Sequence, residues 1–224
     1  MPENSVMTGE AIAETPDLVL IGEICPDVLQ EIRYYSTYNF VGKRIDGYLE
    51  PVALMERSAA LALKAASAAF VDRGYVVKVY DAYRPQRAVR HFVRWAEDEK
   101  DTAMQRIFYP DLPKCRLIPD GYIAPRSSHS RGGTVDLTLV DRLSGREVDM
   151  GGVFDFFGAR SNRDHEDLTK EQIRNRRLLR AVMEDHGFGT IASEWWHFTY
   201  AQERYPDTVF DVPVCSASAM PCIP

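Results

Sequence analysis

The spacing of apolar positions changes several times along the chain, and each change marks an element. The stretch 54–70, LMERSAALALKAASAAF, is rich in alanine and holds neither Gly nor Pro. It predicts a helix, ending near Gly74, a residue suited to the left-handed cap position. YVVKVYD, 75–81, predicts a strand running into the turn at Arg84-Pro85. Beyond that turn Val89, Phe92, Val93 and Ala96 recur at helical spacing, which predicts a second helix over 86–100 with Pro85 near its start. TVDLTLV, 134–140, alternates: Val135, Leu137 and Leu139 share one face, Thr134, Asp136 and Thr138 the other. A third helix is predicted over 170–187, with Leu178, Leu179, Val182 and Met183 as its buried stripe and Gly187 as its stop. The aromatic run 195–200 predicts the last strong strand. Helices interspersed with short strands indicate an α+β fold.

Composition narrows the class. The chain has 224 residues, 45% hydrophobic and 27% charged, which is ordinary for a soluble globular protein. It shows no internal repeat and no low-complexity linker, so one domain is expected over 18–214, after a polar, loose segment 1–17 and before an irregular tail 215–224. The net charge of −6 argues against nucleic acid as a partner, because a phosphate backbone demands a basic face. No run of eighteen apolar residues is present, so no membrane span is expected. The acidic N-terminus lacks the basic and long apolar regions of a signal peptide. A cytoplasmic location is expected, with a periplasmic one open. Cys25, Cys115, Cys215 and Cys222 form no CxxC pair and read as free thiols of a reducing compartment, Cys215 and Cys222 being able to pair in an oxidising one.

Chemistry enters at three places. His129 and Asp136 lie seven residues apart in SSHSRGGTVDLTLV, and His197 closes SEWWHF. Two imidazoles and one carboxylate are the ligand set of a hydrolytic zinc centre with an open position. Glu194, three residues before His197, is a carboxylate free to act as base. In a regular strand positions three apart point to opposite faces. Glu194 and His197 therefore share a site only if Glu194 precedes the strand or the strand is bulged. Arg84 sits where a strand gives way to a helix, and its guanidinium there suits an oxyanion.

These motifs carry a resemblance that covers about Tyr34 to Val214. The ordered segments YSTYNFVGKRIDGY (35–48), DAYRPQRAV (81–89), SSHSRGGTVDLTL (127–139), MGGVFDFFGARS (150–161), NRRLLRAVMEDHGF (175–188) and EWWHF (194–198) resemble the zinc-dependent D-alanyl-D-alanine dipeptidases of the VanX type, within the D,D-peptidase group. The resemblance implies one domain with a central, mainly antiparallel sheet flanked by helices. It implies one zinc ion per chain on His129, Asp136 and His197, with Glu194 as general base and Arg84 stabilising the transition state. Asp155 and Tyr34 match positions that hold a dipeptide's ammonium, and Ser127 matches a serine near the substrate. The substrate implied is a small free dipeptide, and a homo-oligomer stays open. One departure is Thr134, where the pattern SxHxxGxAxD usually has Ala; the extra hydroxyl should change packing or subsite size without removing the metal.

Blander readings stand beside these. His91 reads as surface and His186 as a helix C-terminal residue, while His165 reads as a solvated loop residue with a role lining the cleft as the alternative. Trp195 and Trp196 read as core, with one of them walling the substrate pocket as the alternative. Arg174, Arg176, Arg177 and Arg180 read as a solvated helix face. Asp155, between two phenylalanines, needs a partner, either a ligand ammonium or a nearby donor. Two rival functions remain: a carboxypeptidase or endolysin acting on peptidoglycan stems, and a non-enzymatic zinc-binding module. Glu194 and Arg84 speak against the module, and an acid placed for a free N-terminus speaks against the polymer-cutting enzymes.

Overall fold

The computed structural model describes residues 15–219. Strands β1 (Leu18–Leu20) and β3 (Leu54–Glu56) pair antiparallel as a small sheet. The main sheet has the order β2-β4-β5-β7-β6, with β2 at Leu29–Gln30, β4 at Tyr75–Asp81, β5 at Thr134–Asp141, β6 at Phe188–Thr190 and β7 at His197–Tyr200. Only the β2–β4 pairing is parallel; β4–β5, β5–β7 and β6–β7 are antiparallel. Helices α1 (Ile21–Ile24), α2 (Arg57–Val71), α3 (Gln86–Glu97), α4 (Gln105–Phe108) and α5 (Lys170–Asp185) flank it. This is the α+β fold expected, with a mostly antiparallel sheet.

The predicted helix 54–70 begins three residues late. Leu54–Glu56 pairs with β1 instead, and the Glu56 carboxylate accepts from the Ser58 and Ala59 backbone N–H groups, capping α2 at Arg57. Alanine-rich sequence favoured helix, and a tertiary strand pairing overrode it at the edge. α2 packs against β4 and α5, and Leu63 and Phe70 on its inner face are fully buried. Each contributes roughly 1.5–3 kcal/mol by leaving water. α3 ends at Glu97, short of residue 100, and α5 at Asp185. α5 opens on a capping box in which Thr169 and Gln172 satisfy one another's backbone N–H groups.

One sequence expectation is overturned on α5. Arg176 is not solvated: it is 4% exposed. Its guanidinium donates to the backbone carbonyls of Met150 (2.6 Å), Asn162 (2.6 Å) and Arg160 (2.9 Å). It pins the loop between β5 and α5, which carries Asp155, onto the helix. Leu178, placed in the stripe, is only partly buried, and Arg176 takes the deeper position.

β5 is buried on both faces. Val135, Leu137 and Leu139 are fully covered, and Thr134, Asp136 and Thr138 are at most 2% exposed. Of the polar face, Asp136 looks into the cleft, while Thr134 and Thr138 do not line it. The wall opposite is aromatic: Tyr34, Phe40, Phe92 and Phe157 pack with ring centroids 4.8–6.0 Å apart, and Phe154 leans on Trp196. Trp195 and Trp196 are both buried, Trp196 also lining the cleft, and β7 starts after them, at His197. No helix among the described residues is long and apolar enough to cross a membrane. The described residues begin after residue 14, and Asp17 is already held by Arg57 at 3.0 Å. Residues 220–224, with Cys222, lie outside the described part.

Candidate metal centre and cleft

Sheet register builds the centre. Asp136 of β5 is the direct cross-strand partner of His197 on β7, and on its other side of Asp81 on β4. Directly opposed residues on one face have their side chains in contact. His129 arrives from a short 3-10 turn, Ser128–Arg131, that precedes β5. Ser127 caps this turn through its Oγ, which accepts from the His129 N–H at 3.3 Å. Gly132 ends it at φ +90°, a left-handed conformation that a Cβ would resist.

The three predicted ligands converge. His129 Nε2 lies 3.2 Å from Asp136 Oδ2 and 3.3 Å from His197 Nδ1, and His197 Nδ1 lies 3.2 Å from Asp136 Oδ1. Among the described residues these are the group able to hold a metal ion, its atoms all within 4.8 Å of one another. Their outer atoms set the ring orientations. His129 Nδ1 donates to the Ala82 carbonyl at 2.7 Å, which leaves Nε2 facing inward as an acceptor. His197 Nε2 faces the Ser128 hydroxyl at 3.3 Å and that of Thr199 at 3.4 Å. Thr199 in turn meets the Thr134 hydroxyl at 2.9 Å. Thr134 thus spends its extra hydroxyl on β7 and does not line the cleft.

The donor chemistry fits a cation. Asp136 Oδ1 is buried without a hydrogen bond, although His197 Nδ1 stands close beside it. Acceptor atoms aimed at one another in a buried space repel unless a proton or a metal ion sits between them. Burial opposes ionisation of Asp136, but the His129 and His197 imidazoles outweigh it and hold its carboxyl below the usual range. Burial also pushes the His129 imidazole down, which keeps it neutral and fit to ligate.

Glu194 lies in the loop before β7, one of the two arrangements the spacing allowed. Its Oε2 is 3.5 Å from His197 Nδ1, and 35% of its side chain is exposed to the cleft. Burial by the surrounding protein and the charge of Asp136 raise its pKa, against the pull of His197 and Arg84. A carboxylate shifted this way is a better proton acceptor near neutrality.

Arg84 faces the same space but is not free. Its Nε and Nη2 each lie 2.9 Å from Asp81 Oδ2, and Nη2 is 3.6 Å from Asp136 Oδ2. It lies over the rings of Tyr34 and Phe92. Asp81 is 1% exposed, and its Oδ1 accepts from the Tyr48 hydroxyl at 2.6 Å. Two carboxylates opposed across strands repel, and Arg84 lies where it neutralises both. Sequence reasoning missed Asp81, Tyr48 and Ser128. The available signal for Asp81 was an acid at the end of a strand, three residues before the arginine; for Tyr48 and Ser128 there was none.

Asp155 is buried and lines the cleft. The Tyr34 hydroxyl donates to its Oδ2 at 3.0 Å and lies 3.2 Å from Oδ1. It is the one non-glycine among the described residues with positive φ, at 63°, a sparsely populated conformation that marks functional positions. Burial, reinforced by the Asp136 charge, pushes its carboxyl well above the ordinary carboxylate range. A cation reaching this cleft would relieve that penalty. The cleft has a volume of about 260 Å³ and also takes in Ser127, Tyr122, Ile191 and Trp196. That is near the lower end for ligand pockets and suits a small molecule. His165 lines a separate depression with Arg163 and Arg180, away from these ligands. His91 is half-buried and accepts from the Asp46 N–H at 3.1 Å, and His186 closes α5.

Comparison with known proteins points the same way. The family model of the M15 peptidases described as D-ala-D-ala dipeptidase matches residues 14–215. A D-alanyl-D-alanine dipeptidase of Streptomyces coelicolor is 38% identical over 200 residues, 89% of this chain and 99% of its own length. One from Enterococcus faecalis is 38% identical over 88% of this chain and 97% of its own, and one from Escherichia coli is 34% identical over 87% and 91%. A family match over residues 14–215, with relatives at this identity over most of their own length, leaves one assignment: the chain belongs to the D-Ala-D-Ala dipeptidase family of M15 peptidases and is a hydrolase.

Proposed function

We propose that this protein is a zinc-dependent dipeptidase that hydrolyses free D-alanyl-D-alanine to two molecules of D-alanine. The observation that carries the reading is the buried convergence of His129, Asp136 and His197, with Glu194 beside them and Asp155 in the same small cleft. His129, Asp136 and His197 would hold one zinc ion per chain. When bound, zinc supplies Lewis-acid chemistry, polarising a carbonyl and acidifying water. Glu194 accepts the proton of the attacking water and delivers it to the departing amine. Arg84, aimed by Asp81, bonds the oxygen that gains negative charge. Asp155 and the Tyr34 hydroxyl receive the substrate's ammonium, and Ser127 borders the bound dipeptide. The relatives' names and their near-complete coverage favour a dipeptidase over enzymes that cut peptidoglycan stems. The location proposed is cytoplasmic.

The test is release of D-alanine from D-Ala-D-Ala by purified protein, with and without a chelator, and with N-acetyl-D-Ala-D-Ala as comparison. Zinc-dependent cleavage of the free dipeptide and rejection of the blocked one support the reading. Equal cleavage of both would remove Asp155 from its role. Glu194→Ala should keep zinc and lose turnover, while His129→Ala should lower zinc content, read by metal analysis.

A further inference from the structure

We infer that Arg126 recognises the free carboxylate of the substrate, an inference that rests on the dipeptidase reading and extends it to the other end of the ligand. A dipeptide carries two opposite charges, at most roughly 7 Å apart when extended. The cleft is lined by three acids, Asp136, Asp155 and Glu194, and by two arginines, Arg84 and Arg126. An incoming carboxylate among such acids meets repulsion unless a cation receives it.

Arg84 is committed elsewhere. Asp81 holds it through two contacts of 2.9 Å, and its remaining reach is toward Asp136 at the metal centre. Arg126 differs in every respect. Its side chain is exposed, and among the described residues no group forms a hydrogen bond or ion pair with it. Its backbone is nonetheless anchored on both sides. The Gln86 side-chain amide donates to the Pro125 carbonyl at 2.9 Å, and Ser127 caps the turn that carries His129. An unpaired guanidinium is therefore presented at the rim of the cleft, three residues from a candidate ligand, on a fixed stretch of chain. Its planar fork matches a carboxylate with two parallel bonds. Ordering a solvated side chain offsets part of the gain, so the lower end for a charge-assisted bond is expected, about tenfold in affinity.

The experiment titrates D-alanyl-D-alanine and its C-terminal amide into zinc-loaded Glu194→Gln protein by calorimetry, with and without Arg126→Ala or Arg126→Lys. The expected result is tighter binding of the acid than of the amide, with the preference collapsing in Arg126→Ala and partly kept in Arg126→Lys. An acid-over-amide preference that survives Arg126→Ala intact overturns the inference, and so does failure of the dipeptide to bind at all. Wild-type enzyme that binds the dipeptide without cleaving it would reject the dipeptidase reading alone, and the same titrations would still decide Arg126.

Discussion

Asp81 offers the most searching test of how the cleft is held together. Asp81→Asn keeps the shape and removes the charge. The wild-type carboxylate accepts from Tyr48 at 2.6 Å and from Arg84 Nε at 2.9 Å; Asp81 and Tyr48 are buried and Arg84 is mostly so. Breaking one partner of a buried ion pair costs about 3–5 kcal/mol, and the amide retains some bonding, so the lower figure, about 3 kcal/mol, is expected. For a chain of this size that lowers the melting temperature by roughly 6–12 °C. Arg84 then loses the group that aims it. A missing oxyanion donor lowers kcat by about 10²–10³. A misaimed one should lower it at least tenfold, with KM less affected. The assay is steady-state hydrolysis of D-Ala-D-Ala by Asp81→Asn, Arg84→Ala and the double variant, with zinc content measured in each. If Asp81 acts through Arg84, adding Asp81→Asn to Arg84→Ala changes kcat little, because coupled residues are not additive. A single variant within about threefold of wild type, or losses that add in full, would refute the reasoning.

Three further outcomes follow from the geometry. Asp155→Asn should unfold at a temperature no lower than wild type, since burial already disfavours the carboxylate and Asn tolerates positive φ; its kcat/KM on the free dipeptide should fall at least roughly thirtyfold, as for a buried charge left unpaired. Thr134→Ala removes a hydroxyl that bonds Thr199 at 2.9 Å; thermal unfolding should show a loss of about 1 kcal/mol, with zinc stoichiometry unchanged by metal analysis. Burial works against Asp211, but bonds from Arg87 and Arg90 prevail and hold its carboxyl below the ordinary value. Its contribution is thus full above about pH 4 and vanishes as pH falls through the folded pKa. Asp211→Asn should flatten that part of the stability profile and leave stability below the folded pKa unchanged, as read by denaturant unfolding across pH.

Much of the site was legible because its signals are local. A period of two placed Asp136 on the polar face of β5, and the ExxH spacing left Glu194 either before the strand or in a bulge of it; it stands before the strand. The segments around Arg84 and Asp155 each carried a charged residue in an otherwise apolar or turn-forming setting, which asks for a partner. Other features had no local signal. Arg176 sits in a run of arginines that looks solvated, and only the carbonyls of a distant loop explain its burial. Asp81 looks like the ordinary end of a strand until Tyr48, from a loop 33 residues earlier, reaches it.

What the amino-acid sequence by itself determined was the three longer helices, strands β4, β5 and β7, the residue types of the candidate ligands and base, and the face on which Asp136 lies. These follow from side-chain chemistry and from backbone periods of 2 and 3.6 residues, which act over a few positions. Tertiary structure alone decided the rest. The start of α2 at Arg57 depends on β3 pairing with β1. The line Asp81–Asp136–His197 depends on register across three strands that are far apart in the chain. The burial of β5 on both faces left Asp136 alone of its polar stripe facing the cleft. Register and burial are set by long-range packing, and no window of sequence contains both partners of such a contact.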